Sequence, residues 1–510
     1  MKLLAVSAGP HDANMSYYDG STVRYTKIER TRQIKHVAFD GILDWKREIK
    51  SLWDLHVDEV NELVLNITTD NFEGANQIVV NNANELKFKD VIPNNWFIND
   101  NNVWYLNHHY CHTLSTWMLV DQEPDVSIVI DGIGDGYSWS VYRGDTLVDR
   151  SSIGDHSIGH CLEAAGEFLQ IKAGSYLDIS GKLMGLQSYG NVDATYLAYL
   201  QQYDLQSLET IFSYKTWFKY KGSDLIGHYS LLDWIATVHY RVGEILIDFF
   251  KKYAKPNELI SYTGGVAQNV IWNTELRKHF PNLVIPPHCA DDGLSLGALE
   301  WLRRKNNLPK FKLDNFPYVQ SDESPFFAPS IETIKKTAEF LSQGLTVGWY
   351  QGHGEIGPRA LGNRSILMNP QIANGKEKIN SIKRRENYRP FGASILAEYS
   401  NEYFELAKDD FMLYTAKVKT DKLTAITHVD GTCRVQTVTD KTPVFKSLLE
   451  EFYQLTNCPV LLNTSMNLAG KPVAGYIDNA KELFYTSKLD VLVVGNEIFT
   501  KGNENVTRIN

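Results

Sequence analysis

The chain has 510 residues, of which 43% are hydrophobic and 22% charged. That balance builds large cores and excludes a mainly disordered chain or a polytopic membrane protein. Its 61 acidic against 51 basic residues give a net charge of −10, which argues against a broad nucleic-acid-binding face. The five cysteines, Cys111, Cys161, Cys289, Cys433 and Cys458, form no CxxC pair. A reducing cytoplasm is therefore expected rather than a disulfide framework or zinc finger. No stretch reaches the roughly 18 apolar residues of a membrane span.

The chain opens with a buried-strand pattern, Leu3–Val6, running into a glycine turn. Leu63–Ile67, Ser127–Ile130, Leu259–Tyr262 and Leu283–Ile285 also read as strands. Leu232–Ala254, Val266–Lys278 and Leu294–Lys305 read as helices, so the pattern is α/β layering. Pro309, Pro317, Pro325 and Pro329 mark a linker, 311–329, between units expected at 1–310 and 330–510. The second unit opens with a helix over Ser330–Ser342 and a strand over Thr346–Tyr350. It closes with Val460–Leu462, a helix over Asn479–Ser487 and a strand over Val491–Val494.

In the first unit, His108 and His112 are four apart, the spacing that puts two metal ligands on one helix face. Two surface histidines would show the same spacing. Asp131 at a strand end and Asp291 before a helix complete a set suited to a first-row divalent ion, if the fold joins them. Gly132 and Gly134 follow the strand Ser127–Ile130. Gly264 and Gly265 follow Leu259–Tyr262 and open a helix, where backbone N–H groups can cradle phosphates. His11, after the first strand, is placed to take a proton from an alcohol; a turn stabilised by Asp12 explains the pair equally well. Lys182 lies in a glycine-rich setting, and Lys35-His36 add further polar groups.

The second unit concentrates cations beside glycines. Gly352–Arg364 (GHGEIGPRALGNR) carries Arg359 and Arg364. Lys383, Arg384, Arg385, Arg389 and Arg434 follow, and Asn463-Thr464-Ser465 ends an apolar strand. Singly, each reads as a solvated charge. Together they read as a phosphate site, with bidentate Arg, point-charge Lys and short-range Ser and Asn.

These motifs, GPRALGNRSIL (Gly357–Leu367), HVDGTCRVQTV (His428–Val438), NTSMN (Asn463–Asn467), RPF (Arg389–Phe391), HHYCH (His108–His112), GKLMGL (Gly181–Leu186) and GGVAQN (Gly264–Asn269), resemble the NodU/CmcH family of O-carbamoyltransferases over the whole chain. The resemblance implies an N-terminal ASKHA (actin/sugar-kinase-like) domain followed by a C-terminal YrdC-like α/β domain. It implies that Arg359, Lys383, Arg389, Arg434, Asn463 and Ser465 bind carbamoyl phosphate and ATP with magnesium, giving a carbamoyl-adenylate. It further implies that Gly132, Gly134, Gly264, Gly265 and Lys182 hold that adenylate. His108, His112, Asp131 and Asp291 are then the ligands of a divalent metal, iron first with manganese or zinc as alternatives, and His11 is the general base. Met466 stands where the family usually has Phe, Gly392-Ala393-Ser394 where Ala-Pro-Ser is typical, and Cys111 where Ala is usual. His353 sits at a position that is often Arg or polar.

The expected acceptor is a hydroxyl of a sugar, a natural product or a 5-hydroxymethylpyrimidine nucleotide. Nucleic acid enters only as such an acceptor, no membrane is expected, and a homodimer is open. Two other readings compete: a threonylcarbamoyl-tRNA-type synthase, disfavoured by the acidic chain, and a non-catalytic actin-like ATP-binding protein, which leaves the C-terminal cations without a role.

Overall fold

A computed structural model of the chain describes all residues except 41–43, 68–82, 92–101, 153–156, 209–229, 314, 322–327, 406–407, 502–505 and 510. Parts of the expected linker, 314 and 322–327 with Pro325, lie outside the described residues. The chain divides into two compact units. One comprises Met1–Glu29 with His36–Asp314; the other comprises Asn315–Asn510 with a short excursion, Arg30–Lys35.

The first unit holds two mixed sheets. Leu3–Ser7 runs beside Asn14–Tyr18 antiparallel and Glu62–Asn66 parallel, in a sheet completed by Val23–Lys27, Val103–Leu106 and Glu85–Lys87. Val126–Gly134 is the middle strand of the other, between Ile260–Thr263 and Tyr137–Arg143. Leu3–Ser7 is buried at every position, with Leu4 and Val6 in one core with Trp45 and Ile49. Each Leu or Val fully buried in this way contributes about 1.5–3 kcal/mol.

The strand read as Ser127–Ile130 continues through Asp131 to Gly134, with a register irregularity between Ile130 and Gly134. This irregularity lifts Asp131 off the ladder, as bulges beside functional groups do. The helix expected from Val266 begins instead at Val270, after a tight 3-10 turn at Gly265–Gln268. Asn269 sets that start: its Oδ1 accepts from Ile271 N at 3.2 Å and Trp272 N at 3.3 Å.

The helix His108–Trp117 begins at Asn107, whose Oδ1 accepts from His109 N (3.0 Å) and Tyr110 N (3.2 Å). It crosses Leu294–Lys305 at backbone distance. A Cβ on Gly297 would lie 1.8 Å from the Cys111 carbonyl oxygen, so only glycine permits this crossing.

The second unit is built on one ten-stranded sheet among the described residues, with Gly392–Leu396, Val460–Ser465 and Arg364–Met368 near its centre. Helices Ile331–Ser342, Pro443–Thr456 and Ile477–Thr486 contribute apolar faces to its core around Trp349, Ile366 and Leu461. Met466 is fully buried there, 3.5 Å from where a Cβ on Gly348 would stand. The flexible thioether fills a gap that Phe would fill more rigidly. Among the described residues, no helix is long and apolar enough to cross a membrane.

Candidate active site

In the first unit the structure brings His108, His112, Asp131 and Asp291 into one buried cluster whose ligand atoms all lie within 4.8 Å of one another. His108 Nε2 lies 3.1 Å from Asp131 Oδ2 and 3.5 Å from Asp291 Oδ1. His112 Nε2 lies 3.6 and 3.4 Å from the same two oxygens. The two Nε2 atoms face each other at 3.2 Å. Donors about 2.0–2.2 Å from a shared ion are themselves separated by roughly 3.0–3.6 Å, so the spacing fits a first-row divalent cation.

The cluster's charge balance points the same way. Burial raises the cost of ionised Asp131, but the hydrogen bonds to His108 and His112 hold it well below the ordinary carboxylate value. Burial likewise disfavours charged His108, but Asp291 and Asp131 lift it well above an ordinary histidine. The two carboxylates thus demand positive charge at this point.

Backbone geometry holds the donors. Gly265 N–H donates to Asp131 Oδ1 at 2.8 Å, turning Oδ2 toward the histidines. Asp135 accepts from His108 N at 2.7 Å and from the Tyr105 hydroxyl, fixing the first turn of the ligand helix. His109 faces away; its Nδ1 meets Ser140 Oγ at 2.8 Å, and burial followed by the His108 charge pushes it well below the ordinary value.

The glycine candidates lie around this cluster. A Cβ on Gly265 would stand 2.9 Å from Asp131 Oδ1, and one on Gly264, at φ +95°, would stand 2.2 Å from the Ile130 carbonyl oxygen. These glycines permit close approach of two loops, and the Gly265 N–H is committed to Asp131. A Cβ on Gly134 would fall 2.3 Å from His108 Cδ2 and 2.6 Å from Cγ, whereas one on Gly132 would lie 3.7 Å from His160 Nε2. Gly134→Ala is therefore expected to displace the His108 ring and weaken divalent-metal binding at least about tenfold. Gly132→Ala should retain the metal. Titrating both variants with manganese by electron paramagnetic resonance checks the difference. Lys182 Nζ donates to the Lys172 carbonyl oxygen.

His11 is half-buried at the edge of the cluster, its Nδ1 3.0 Å from Asp12 Oδ2 and 3.6 Å from Asp291 Oδ2. Burial opposes its charged form; the Asp12 hydrogen bond and the Asp291 charge outweigh this and raise it. Asp12 is more than a turn-forming residue. Held at φ +53°, it also receives His36 Nδ1 (3.1 Å) and Lys27 Nζ (3.0 Å). Asp12, Glu29 and His36 form a second acidic group, but the Lys27 ammonium sits 3.0 and 3.3 Å from its two carboxylates and supplies the cation. Helix Ile158–Phe168 brings further groups to the Asp131 loop. A Cβ on its Gly159 would lie 2.9 Å from Gly132 Cα, and its Glu163 is pushed up to about 7 by burial, then by Asp131 and Glu167. Sequence reasoning passed over Lys27, Asp135 and Glu163; each acts across residues distant in the chain.

The second unit holds the cations. Lys383, last in the helix Gly375–Lys383, donates to Ser465 O, to Ser465 Oγ (3.2 Å), to Asn467 O (3.0 Å) and to Asn467 Oδ1 (2.8 Å). Burial, then Arg385, Arg389 and Lys35, depress its pKa well below the usual lysine value; the acceptors around Nζ work the other way. Arg434 lies on the strand Thr432–Val438, paired with Gly392. Burial, with Arg389 adding repulsion and Cys433 opposing it, brings Arg434 down to about 10. Burial, Arg389 and Arg434 also push Arg385 well below its ordinary value. Arg389 approaches Glu386 only at 3.9 Å. Four cations that repel one another, with Glu386 as their one ion-pair partner among the described residues, make an arrangement that could hold an anion.

Asn463 Nδ2 donates to Ser394 Oγ (2.9 Å) and Ala360 O (3.2 Å), while its Oδ1 is buried without a hydrogen bond. Arg359 and Arg364 both sit in the Gly352–Arg364 loop, and Arg364 is engaged in building it. It donates to Gln351 O (2.6 Å), Asn363 O (3.1 Å) and Gly352 O (2.9 Å), and its guanidinium stacks 3.6 Å over Tyr350. Glu355 Oε1 gathers the N–H groups of Leu361 (2.8 Å), Asn363 (2.8 Å) and Arg364 (3.1 Å). Part of the GHGEIGPRALGNR motif is thus loop architecture.

The N-terminal model of the carbamoyltransferase family matches residues 57–299 and the C-terminal model 338–501. Nodulation protein NolO of Bradyrhizobium diazoefficiens is 31% identical over 434 residues, 76% of this chain and 78% of that one. Nodulation protein U of Azorhizobium caulinodans is 32% identical over 357 residues, 62% of this chain and 63% of that one. The 3'-hydroxymethylcephem-O-carbamoyltransferase of Amycolatopsis lactamdurans is 35% identical over 233 residues, 43% and 44% of the two chains. Among solved structures, HypF of T. kodakarensis overlays with a TM-score of 0.40 at 13% identity, covering 61% of this chain and 48% of that one. The chain belongs to the NodU/CmcH family of carbamoyltransferases.

Proposed function

We propose that the chain is an ATP-dependent O-carbamoyltransferase with an ASKHA-type transfer unit and a YrdC-like activation unit. The observation that carries this reading is His11, a histidine base 3.6 Å from Asp291, beside a buried two-His, two-Asp donor set. The second unit binds carbamoyl phosphate and ATP through Arg359, Lys383, Arg389, Arg434, Asn463 and Ser465. Water releases inorganic phosphate from carbamoyl phosphate. A carbamate oxygen then attacks the α-phosphorus of ATP, and pyrophosphate leaves with its electron pair. The cations offset the negative charge, and Asn463 Oδ1, buried without a hydrogen bond among the described residues, supports a role as acceptor for the carbamoyl NH2.

In the first unit the acceptor oxygen attacks the carbamoyl carbon. The bond from that carbon to the adenylate oxygen breaks, and AMP leaves. Asp12 engages His11 Nδ1, so Nε2 is the nitrogen that takes the acceptor proton. His108, His112, Asp131 and Asp291 would hold a divalent metal, iron first, whose Lewis acidity supplies charge stabilisation at the carbonyl oxygen. Gly132, Gly134, Gly264, Gly265 and Lys182 lie on the loops and helix assigned to the adenylate. The acceptor is a sugar or hydroxymethyl alcohol, including hydroxymethylated pyrimidine nucleotides.

The test incubates the protein with carbamoyl phosphate, ATP and a panel of such alcohols, reading the mass gain of one HNCO. The expected result is one carbamoylated alcohol with equimolar AMP. In His11→Asn, transfer should fall by roughly 10²–10⁴. Parent-level transfer in that variant would overturn the base assignment, and AMP without any mass gain would overturn the acceptor class.

A further inference from the structure

Arg30–Lys35 leaves the first unit in sequence yet packs within the second. Its docking is tight. A Cβ on Gly475 would lie 2.2 Å from the Arg30 carbonyl oxygen, and Gln33 Nε2 donates to both Arg30 O (2.9 Å) and Val473 O (3.3 Å). This segment carries Arg30, which is only 2% exposed. Arg30 Nη2 donates to the Gly357 carbonyl oxygen at 2.9 Å, two residues before Arg359. Its Nε and Nη1 are buried without a hydrogen-bond partner among the described residues.

A buried guanidinium with one neutral acceptor lacks both its counter-charge and most of its hydrogen bonds. Arg364 shows the contrast, with both terminal nitrogens donating to carbonyl oxygens and the guanidinium stacked on Tyr350. Nε–H and Nη1–H leave different sides of the guanidinium, so each unpaired donor calls for an oxygen of its own, and a phosphate or polyphosphate supplies both such an acceptor and the missing counter-charge. Lys35, from the same segment, adds positive charge that bears on Lys383.

We propose that Arg30, carried into the second unit by this excursion, is a phosphate-binding residue of the activation site, giving its charge and an unpaired guanidinium N–H to a phosphate oxygen. The proposal rests on the carbamoyl-phosphate and ATP reading of that unit and extends it. The cation set is not confined to the C-terminal half: the N-terminal half supplies one of its members. The ligand is a phosphate monoester or a polyphosphate, and both carbamoyl phosphate and ATP present that chemistry.

The test measures ligand-induced melting shifts and Kd values for full-length parent, Arg30→Met and Arg30→Lys. Carbamoyl phosphate, magnesium ATP and pyrophosphate are used separately. In Arg30→Met, Kd for at least one phosphate ligand should rise roughly 10- to 100-fold. The ligand-free melting point should hold or rise, because an uncompensated buried charge is gone. In Arg30→Lys, which keeps the charge but loses the fixed guanidinium donors, affinity should fall several-fold. Loss confined to carbamoyl phosphate or to ATP identifies which phosphate Arg30 holds.

A structural arginine gives the opposite pattern: a lower ligand-free melting point with parent Kd values for all three ligands, and this overturns the proposal. If Arg30→Met does not fold, parent Kd values in Arg30→Lys overturn it equally. Pyrophosphate separates the two layers of argument. A parent that binds pyrophosphate through Arg30 but ignores carbamoyl phosphate overturns the functional reading and keeps the phosphate contact. A parent that responds to none of the three overturns both.

Discussion

His112→Ala is expected to lose its bound divalent metal and its carbamoyl transfer together, while ATP–pyrophosphate exchange driven by carbamoyl phosphate continues. His112 is fully buried, and its Nε2 faces both Asp131 and Asp291 at 3.6 and 3.4 Å. Its removal takes one donor from a set of four and leaves two carboxylates against a single imidazole. Metal affinity should fall well beyond the roughly 10- to 100-fold seen when only a supporting contact is lost. Transfer should fall by at least about 10², since charge stabilisation at the carbonyl oxygen goes with the metal. The uncompensated buried carboxylate should cost about 3–5 kcal/mol of stability. Metal content per chain by plasma emission, AMP formation with an acceptor, and isotope exchange into ATP give the three readouts. On the proposed assignment exchange belongs to the other unit, so its survival shows that the loss is confined to the unit that holds His112. Loss of exchange in step with transfer would mean that His112 is needed for the fold rather than for the metal.

Much of the framework is legible in the sequence because strand and helix periodicity is local. The strand at Val491–Val494 and the helix at Leu294–Lys305 appear with the boundaries their apolar runs suggest. The turn after Gly264 is different. A continuous periodic pattern hides the 3-10 turn, because the cap at Asn269 competes with the helix for the same backbone donors. The i, i+4 spacing of His108 and His112 is a helical signal, but nothing local ties them to Asp131 or to Asp291. Tertiary folding makes that connection; from sequence it stands as a set conditional on the fold and as what the family resemblance implies. Arg364 and Arg359 look alike as arginines among glycines. Only the backbone carbonyls around Arg364 show that it builds the loop. Arg30 gives no signal at all, since its partner at Gly357 is 327 positions away.

The same distinction between loop-building and ligand-binding arginines sets the expectation for Arg434→Ala. Arg434 makes no ion pair among the described residues. It is half-buried on a strand, and burial with Arg389 brings it down to about 10. Its Nε is buried without a hydrogen bond. In the ligand-free protein this side chain is therefore a source of repulsion toward Arg389 and Arg385. Truncating it relieves that repulsion, so ligand-free stability should hold or rise. The anion loses a charge-assisted donor worth about 1.5–3 kcal/mol, so carbamoyl-phosphate-dependent pyrophosphate exchange should fall roughly 10- to 150-fold, mainly through KM. Arg364→Ala should behave in the opposite sense. It leaves the Gln351, Asn363 and Gly352 carbonyls without their donor and strips the face of Tyr350, so the melting point should drop before any substrate is added. Comparing the two variants by calorimetry and exchange kinetics sets stability against substrate binding at two arginines of one unit. A destabilised Arg434→Ala with parent KM would remove Arg434 from the anion site.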